Sequence, residues 1–324
     1  MGGTFTYYLL MSISWIFSLL PLRGLYIFSD IAYFLVYHVV KYRKRTVYVN
    51  LSKSFPEKHP SELLKIEKNF YRFFCDSFFE NLTLPFLSPR KVAKRFVYKN
   101  PEILEPYFQN KQGIILVMSH YANWEMTYQI PKHIKHEVFA AYKPLSNKGM
   151  DKFFTHTRER FGVKTVAMKN IARRFLQNIQ DGLPTLVMML SDQRPDRENV
   201  RYWTTFLDQD TPVLLGVEKL GTKFNLPVFF LDNRRTKRGY YEATFKLIND
   251  TPRNTREFEI TENHIKYLEE VIKQDPAHWL WSHRRWKHRR IIDFLQMTKR
   301  NFGSPGVSYS GSIVDKYNIR QEKG

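Results

Sequence analysis

One cysteine, Cys75, is all that 324 residues contain. That excludes a disulfide framework and any Cys-rich zinc site, and it suits a reducing compartment. Acidic residues are also scarce: 31 Asp and Glu against 51 Lys and Arg leave a formal net charge of +20. The pI is about 9.8. Such a balance favours anionic partners: nucleic acid, a phospholipid surface, a phosphorylated lipid or an acidic carrier protein. A mean hydropathy of −0.44 excludes a multi-pass membrane protein but leaves room for one anchor.

Several chemical motifs are missing as well. There is no G-x-S-x-G elbow, and Ser304, Ser308 and Ser310 lie in a Gly/Ser-rich tail. The stretch Gly216–Lys223 has its lysine and threonine in the wrong order for a phosphate loop, and no strand precedes it. His133 and His136 can share a helical face, but no third ligand follows at a metal-binding spacing, so no metal is expected. Cys75 sits among Phe73, Phe74, Phe78 and Phe79, which reads as a packed thiol rather than a nucleophile.

What the chain does have is aromatic bulk: 26 Phe, 19 Tyr and 6 Trp, enough to build a core. Its first 22 residues carry no charged side chain, and Phe5–Leu20 is largely apolar. A bilayer span needs roughly 20 apolar residues, so this segment is expected to be a short membrane-anchor helix. It lacks the basic n-region and cleavage site of a secretory signal. A second apolar run, Ile31–Val40, is too short to span and ends in Lys41, Arg43, Lys44 and Arg45. This basic cluster places the rest of the chain on the cytoplasmic face of the inner membrane.

Beyond the anchor, Pro60 opens a helix in which Leu63, Leu64, Phe70, Phe73 and Phe74 recur at roughly helical spacing. Short apolar runs then read as buried strands: 114–118, 138–141, 186–190 and 228–231. Helix-like stretches at 148–161 and 170–180 separate them, and Thr211–Pro212 is expected to open a helix running to about Lys223. The pattern implies an α/β fold, a mixed or parallel sheet covered by helices. The expected organisation is an anchor and interfacial helix at 1–45, a catalytic domain at 46–300 and a disordered tail at 301–324.

The informative constellation is Ser119 to Glu125. A His followed five places later by a carboxylate is weak by itself, because the chain also holds His264/Glu269 and His288/Asp293. Five residues of helix rotate by about 500°, so a pair inside one helix does not meet. His264/Glu269 falls within an amphipathic helical stretch and fails that test. His120 directly follows the strand 114–118, where a turn allows Glu125 to reach back. A carboxylate-held His at a strand end is suited to general-base chemistry, and open α/β sheets bind ligands there. With no Ser, Cys or Lys nucleophile evident, the hydroxyl is the substrate's own. Asp192 and Gln193 follow the strand 186–190 in the same way, so both can face His120 across one crevice.

These pieces together resemble the bacterial lipid A biosynthesis acyltransferases, within the lysophospholipid acyltransferase superfamily. The resemblance is carried by the apolar N-terminus, Lys41–Arg45, Asn50–Leu51, Phe55–Glu57, Ser119–Glu125, Tyr142–Asn147, Arg158–Gly162, Ser191–Gln193, Thr211–Pro212 opening a helix, and Trp279–Lys287. It implies a glycerol-3-phosphate acyltransferase-like fold with His120 as base and Glu125 as its partner. It also implies Arg158, Asp192, Gln193 and Asn123 as residues binding phosphate or stabilising the oxyanion. No cofactor is implied. The donor would be acyl carrier protein or acyl coenzyme A, and the acceptor a hydroxyl of a lipid A precursor. An aminolipid or lysophospholipid acceptor is the neighbouring alternative. The segment from His278 to Arg290, with Trp279, Trp281 and Trp286, is expected to touch lipid phosphates. From a different class, its basic–aromatic mixture would also suit a membrane-tethered nucleic-acid-binding protein. Such a protein would not require the strand-end histidine, so no nucleic-acid partner is expected.

Overall fold

A computed structural model describes residues 2–290. The chain opens with two helices, α1 (Gly2–Ser18) and α2 (Leu22–Phe34). They are separated at Pro21, whose extended ψ of 156° stops helical propagation. A π-helical turn, Leu35–Val39, leads to α3 (Lys44–Ser54) and the long α4 (Pro60–Thr83). α4 begins with Pro at its first position and a His59–Glu62 capping box.

An α/β region follows: α5 (Pro89–Arg95), β1 (Phe96–Tyr98), α6 (Glu105–Gln109), β2 (Ile114–Met118), β3 (Glu137–Tyr142), α7 (Lys148–Glu159) and β4 (Lys164–Ala167). Next come α8 (Ile171–Gln180), β5 (Thr185–Leu190), a β6–β7 hairpin (Trp203–Phe206, Gln209–Pro212) and α9 (Gly216–Phe224). β8 (Val228–Lys237), β9 (Tyr240–Asn249) and α10 (Glu259–Gln274) complete it. Residues up to Trp286 form one compact unit, and a second unit begins at Lys287. The tail expected at 301–324 lies outside the described residues.

Seven strands form one sheet in the order β1-β9-β8-β2-β5-β3-β4. Only β8 and β9 pair antiparallel; every other neighbour is parallel. β2 is central and buried along its whole length, which is why its sequence is unbroken apolar. The sheet is therefore the mixed, parallel-rich α/β arrangement expected. The helix expected from Thr211 starts later: Thr211 and Pro212 close β7, and α9 begins at Gly216.

The N-terminus departs from expectation. No described helix is long and apolar enough to cross a membrane. At 17 residues, α1 is about 25 Å long, short of a hydrocarbon core of roughly 30 Å. It is also committed to the protein. Ser14 Oγ donates to the Leu82 carbonyl of α4, and Tyr7 is buried with Leu82 and Phe153. α1 meets α7 almost backbone to backbone: a Cβ on Gly149 would lie 2.3 Å from the Gly3 carbonyl oxygen.

Candidate active site

β2 and β5 pair in parallel with Met118 opposite Leu190. The register carries past the strand ends, where the Ser191 amide donates to the Met118 carbonyl (3.1 Å). Two residues beyond each strand, His120 and Asp192 stand side by side. Asp192 Oδ1 accepts from His120 Nδ1 (2.7 Å), and Oδ2 accepts from the His120 amide (2.9 Å) and from the Trp279 indole N–H (2.8 Å). Burial alone would raise the Asp192 carboxyl, but the His120 ring, the hydrogen bonds from His120 and the Trp279 indole outweigh it. They hold the group down at about 2. A permanent carboxylate at Nδ1 fixes the neutral ring as the Nδ1–H tautomer and turns the Nε2 lone pair outward. Gln193 Nε2 stands 3.1 Å from that nitrogen, in position to donate to it. The Trp124 ring lies edge-on to the imidazole, 4.9 Å between centroids.

Glu125 does not reach back to His120. Both its oxygens are taken by Arg158 of α7, Nε to Oε2 at 3.0 Å and Nη2 to Oε1 at 2.5 Å. The pair is bidentate and nearly buried, with side chains 6% and 15% exposed. Burial opposes the Arg158 charge, yet Glu125 and Tyr128 raise its pKa above the usual guanidinium range. The guanidinium also packs over the rings of Tyr128 and Phe154. The expected His120–Glu125 dyad is thus two pairs, His120–Asp192 and Glu125–Arg158, on either side of a short loop.

That loop is held from behind. Ala122 adopts left-handed backbone (φ 50°), costly for a residue with a Cβ. Its amide donates to the His278 carbonyl (2.9 Å), while the Leu280 amide donates to the His120 carbonyl (3.1 Å). Tyr121 and Trp279 form the β-bridge between these bonds. Asn123 is fully buried, and its amide donates to Glu80 of α4 (2.9 Å). It faces the core rather than the crevice, which corrects its expected contact with substrate.

The aromatic segment is corrected too. Trp279 and Trp281 are 2% and 0% exposed, and Arg285 is fully buried with Nη1 on the Pro212 carbonyl (2.7 Å). Burial lowers the Arg285 guanidinium to about 9. These tryptophans offer no stacking platform to lipid or nucleic acid; they close the loop and hold Asp192. Trp279 and Glu80 are the residues that sequence reasoning missed. The one available signal was an apolar Trp279-Leu280-Trp281 run inside a basic stretch, which favours burial.

Of the two comparison pairs, His288/Asp293 has its Asp293 outside the described residues, and His264/Glu269 behaves differently from the site. In α10, Glu269 accepts from the Leu207 amide and from Lys273 instead of from His264. His264 is 2% exposed and its Nε2 has no partner. Burial lowers it to about 4 despite the pull of Asp192. In the unfolded chain the same ring takes a proton below about 6.5. Stability from neutral His264 is therefore complete above pH 6.5 and is lost as pH falls toward 4, by about 3 kcal/mol. His264→Phe should flatten the fall in Tm between pH 7 and 4.5. An unchanged slope would show that other groups drive acid unfolding. Burial likewise pushes the Cys75 thiol up to about 12, in keeping with its packed position.

The fold is thus a covered α/β sheet with a carboxylate-held histidine just past the end of its central strand. The family model for bacterial lipid A biosynthesis acyltransferases matches residues 1–288, and the chain belongs to that family. A curated relative, lipid A biosynthesis acyltransferase 2 of Shigella flexneri, is 21% identical over 186 residues. The match spans 57% of this chain and 59% of that protein's length. The solved 1-acyl-sn-glycerophosphate acyltransferase PlsC of Thermotoga maritima aligns with a TM-score of 0.34 at 11% identity, covering 80% of this chain and 99% of that one.

Proposed function

We propose that the protein transfers a fatty acyl group from a thioester donor, acyl carrier protein or coenzyme A, to a hydroxyl of a lipid A precursor. The observation that carries this reading is His120 just past the end of β2, its Nδ1 on buried Asp192 and its Nε2 beside the Gln193 amide. The acceptor hydroxyl displaces the Gln193 amide and gives its proton to Nε2 as its oxygen bonds to the thioester carbonyl carbon. Asp192 stabilises the imidazolium. The tetrahedral oxyanion then collapses, the carbon–sulfur bond breaks, and Nε2–H returns the proton to the departing thiolate. No covalent enzyme intermediate is required. The Gln193 amide and the Arg158 cation supply donors for the oxyanion or for an acceptor phosphate.

The same reading places the protein at the cytoplasmic face of the inner membrane, lying in the interface. Phe5, Tyr8, Leu9, Trp15, Ile16 and Leu19 form an exposed apolar stripe at helical spacing on and just after α1. Ile27, Phe28, Ile31 and Phe34 continue it on α2. Three polar residues of these helices turn inward: Ser14, Tyr26 and Ser29 are all buried against α4. Apolar-out and polar-in is the reverse of a water-facing helix and suits an in-plane amphipathic anchor. Arg23 and Lys41–Arg45 beside it, with the net charge of +20, suit anionic lipid and an acidic carrier.

A single reconstitution tests both. Purified protein with vesicles containing anionic lipid and the precursor should float with them, and each donor should be tried in turn. The precursor should gain one acyl group by mass spectrometry, with the rate falling as salt rises. An unmodified precursor with either donor, from folded protein that floats, would overturn the assignment.

A further inference from the structure

Glu80 lies near the end of α4, is fully buried, and touches no part of the crevice. Its Oε1 accepts from the Tyr26 hydroxyl of α2 (2.8 Å). Oε2 accepts from the Asn123 amide (2.9 Å) and the Tyr241 hydroxyl of β9 (2.7 Å), with Arg95 Nη2 at 3.4 Å. A carboxylate in apolar surroundings persists only when its lone pairs are filled, and here three neutral donors fill them while the Arg95 cation stands beside them. Burial, then the Glu80 charge, raises both phenols well above their ordinary pKa, so they remain donors throughout the working pH range.

Two of those donors matter for function. Asn123 sits between His120 and Glu125, directly after the left-handed Ala122. The loop that carries both reactive side chains is thus tethered to Glu80 at its midpoint. Tyr26 belongs to the helix whose outer face is exposed and apolar. Its seat is close-fitting: a Cβ on Gly239 would lie 2.0 Å from the Tyr26 hydroxyl. Ser29 donates to Asp76 (2.7 Å), so two buried residues of α2 anchor the same face, and exposed Asp30 pairs with Arg238 (2.5 Å) at its edge.

We infer that Glu80 is a positioning residue that makes the seating of α2 a condition for an ordered His120–Glu125 loop. Membrane contact on the outer face of α2 presses its inner face onto Glu80, and Glu80 passes that constraint to Asn123. The kinetic part of this inference rests on the acyltransferase reading; the structural part does not.

The test uses the full chain on anionic vesicles, with Tyr26→Phe, Glu80→Gln and the double exchange Glu80→Gln/Asn123→Asp. Amide hydrogen exchange in segment 119–126 should quicken about tenfold or more in each single variant, while β5 keeps its protection. The kcat should fall by about tenfold with KM changed less than about twofold, since the loop is misplaced but the binding surface is intact. The double exchange restores a donor–acceptor pair across the same gap and should recover protection and rate. Tyr26→Phe removes a single hydroxyl and serves where Glu80→Gln unfolds. Unchanged loop exchange in both single variants would overturn the inference, as would full kcat. A loop loosened in the single variants, alongside wild-type protein that transfers no acyl group, would instead overturn the catalytic reading and leave the coupling in place.

Discussion

His120→Ala should reduce acyl transfer by about 10²–10⁴-fold, the usual contribution of a positioned general base. Asp192→Asn should lose activity on the same scale although the side chain keeps its shape. An amide cannot stabilise the imidazolium, and its NH₂ end can turn the ring to the wrong tautomer. Gln193→Ala leaves Nε2 and Asp192 untouched and should cost far less than either. His264→Ala should keep near-normal turnover, because Glu269 is bonded to the Leu207 amide and Lys273 instead. Full transfer by folded His120→Ala protein would remove the base from the mechanism altogether.

A second large effect is expected at Glu125 and Arg158, here on stability as well as rate. Removing one member leaves the other as an almost buried, unpaired charge, a loss of about 3–5 kcal/mol in comparable settings. Glu125→Ala or Arg158→Ala should therefore lower the denaturation midpoint sharply. Glu125→Ala/Arg158→Ala should recover part of that loss, because no charge is left stranded. Arg158→Lys should behave as a poor substitute, since a point ammonium cannot repeat the two-pronged contact or the packing over Tyr128 and Phe154. Denaturant titration of the three alanine variants gives the coupling directly. Single variants no worse than the double would mean that the pair is not closed in solution.

Much of the central sheet could be read from sequence for one reason: β2, β3 and β5 are covered on both faces, so they are written as continuous apolar runs. β8 is different. Its apolar start at 228–231 was visible, but it continues through Asn233, Arg234, Arg235 and Lys237, where charged side chains find Asp232 and Asp76. Nothing in the local pattern marks that extension. At the site, His120 and Asp192 were legible because each follows a buried strand by two residues. Their pairing needed the strand order, which places β5 beside β2. The partner of Glu125 was not legible, because spacing within one segment carries no information about what α7 brings across. Likewise, a run of uncharged residues does not show which of its faces packs on the protein; here the small polar residues Ser14 and Ser29 face α4.

The bridge between Tyr121 and Trp279 also sets an order of events in folding. During synthesis the strands that carry His120 and Asp192 leave the ribosome long before the segment 278–280 that clamps the loop from behind. Closing so distant a contact comes late and slowly in folding. A nascent or truncated chain can hold its histidine and its carboxylate and still lack the clamp and the indole that fix them. The strand-end pair and the clamp behind it are thereby completed at different times, the pair first.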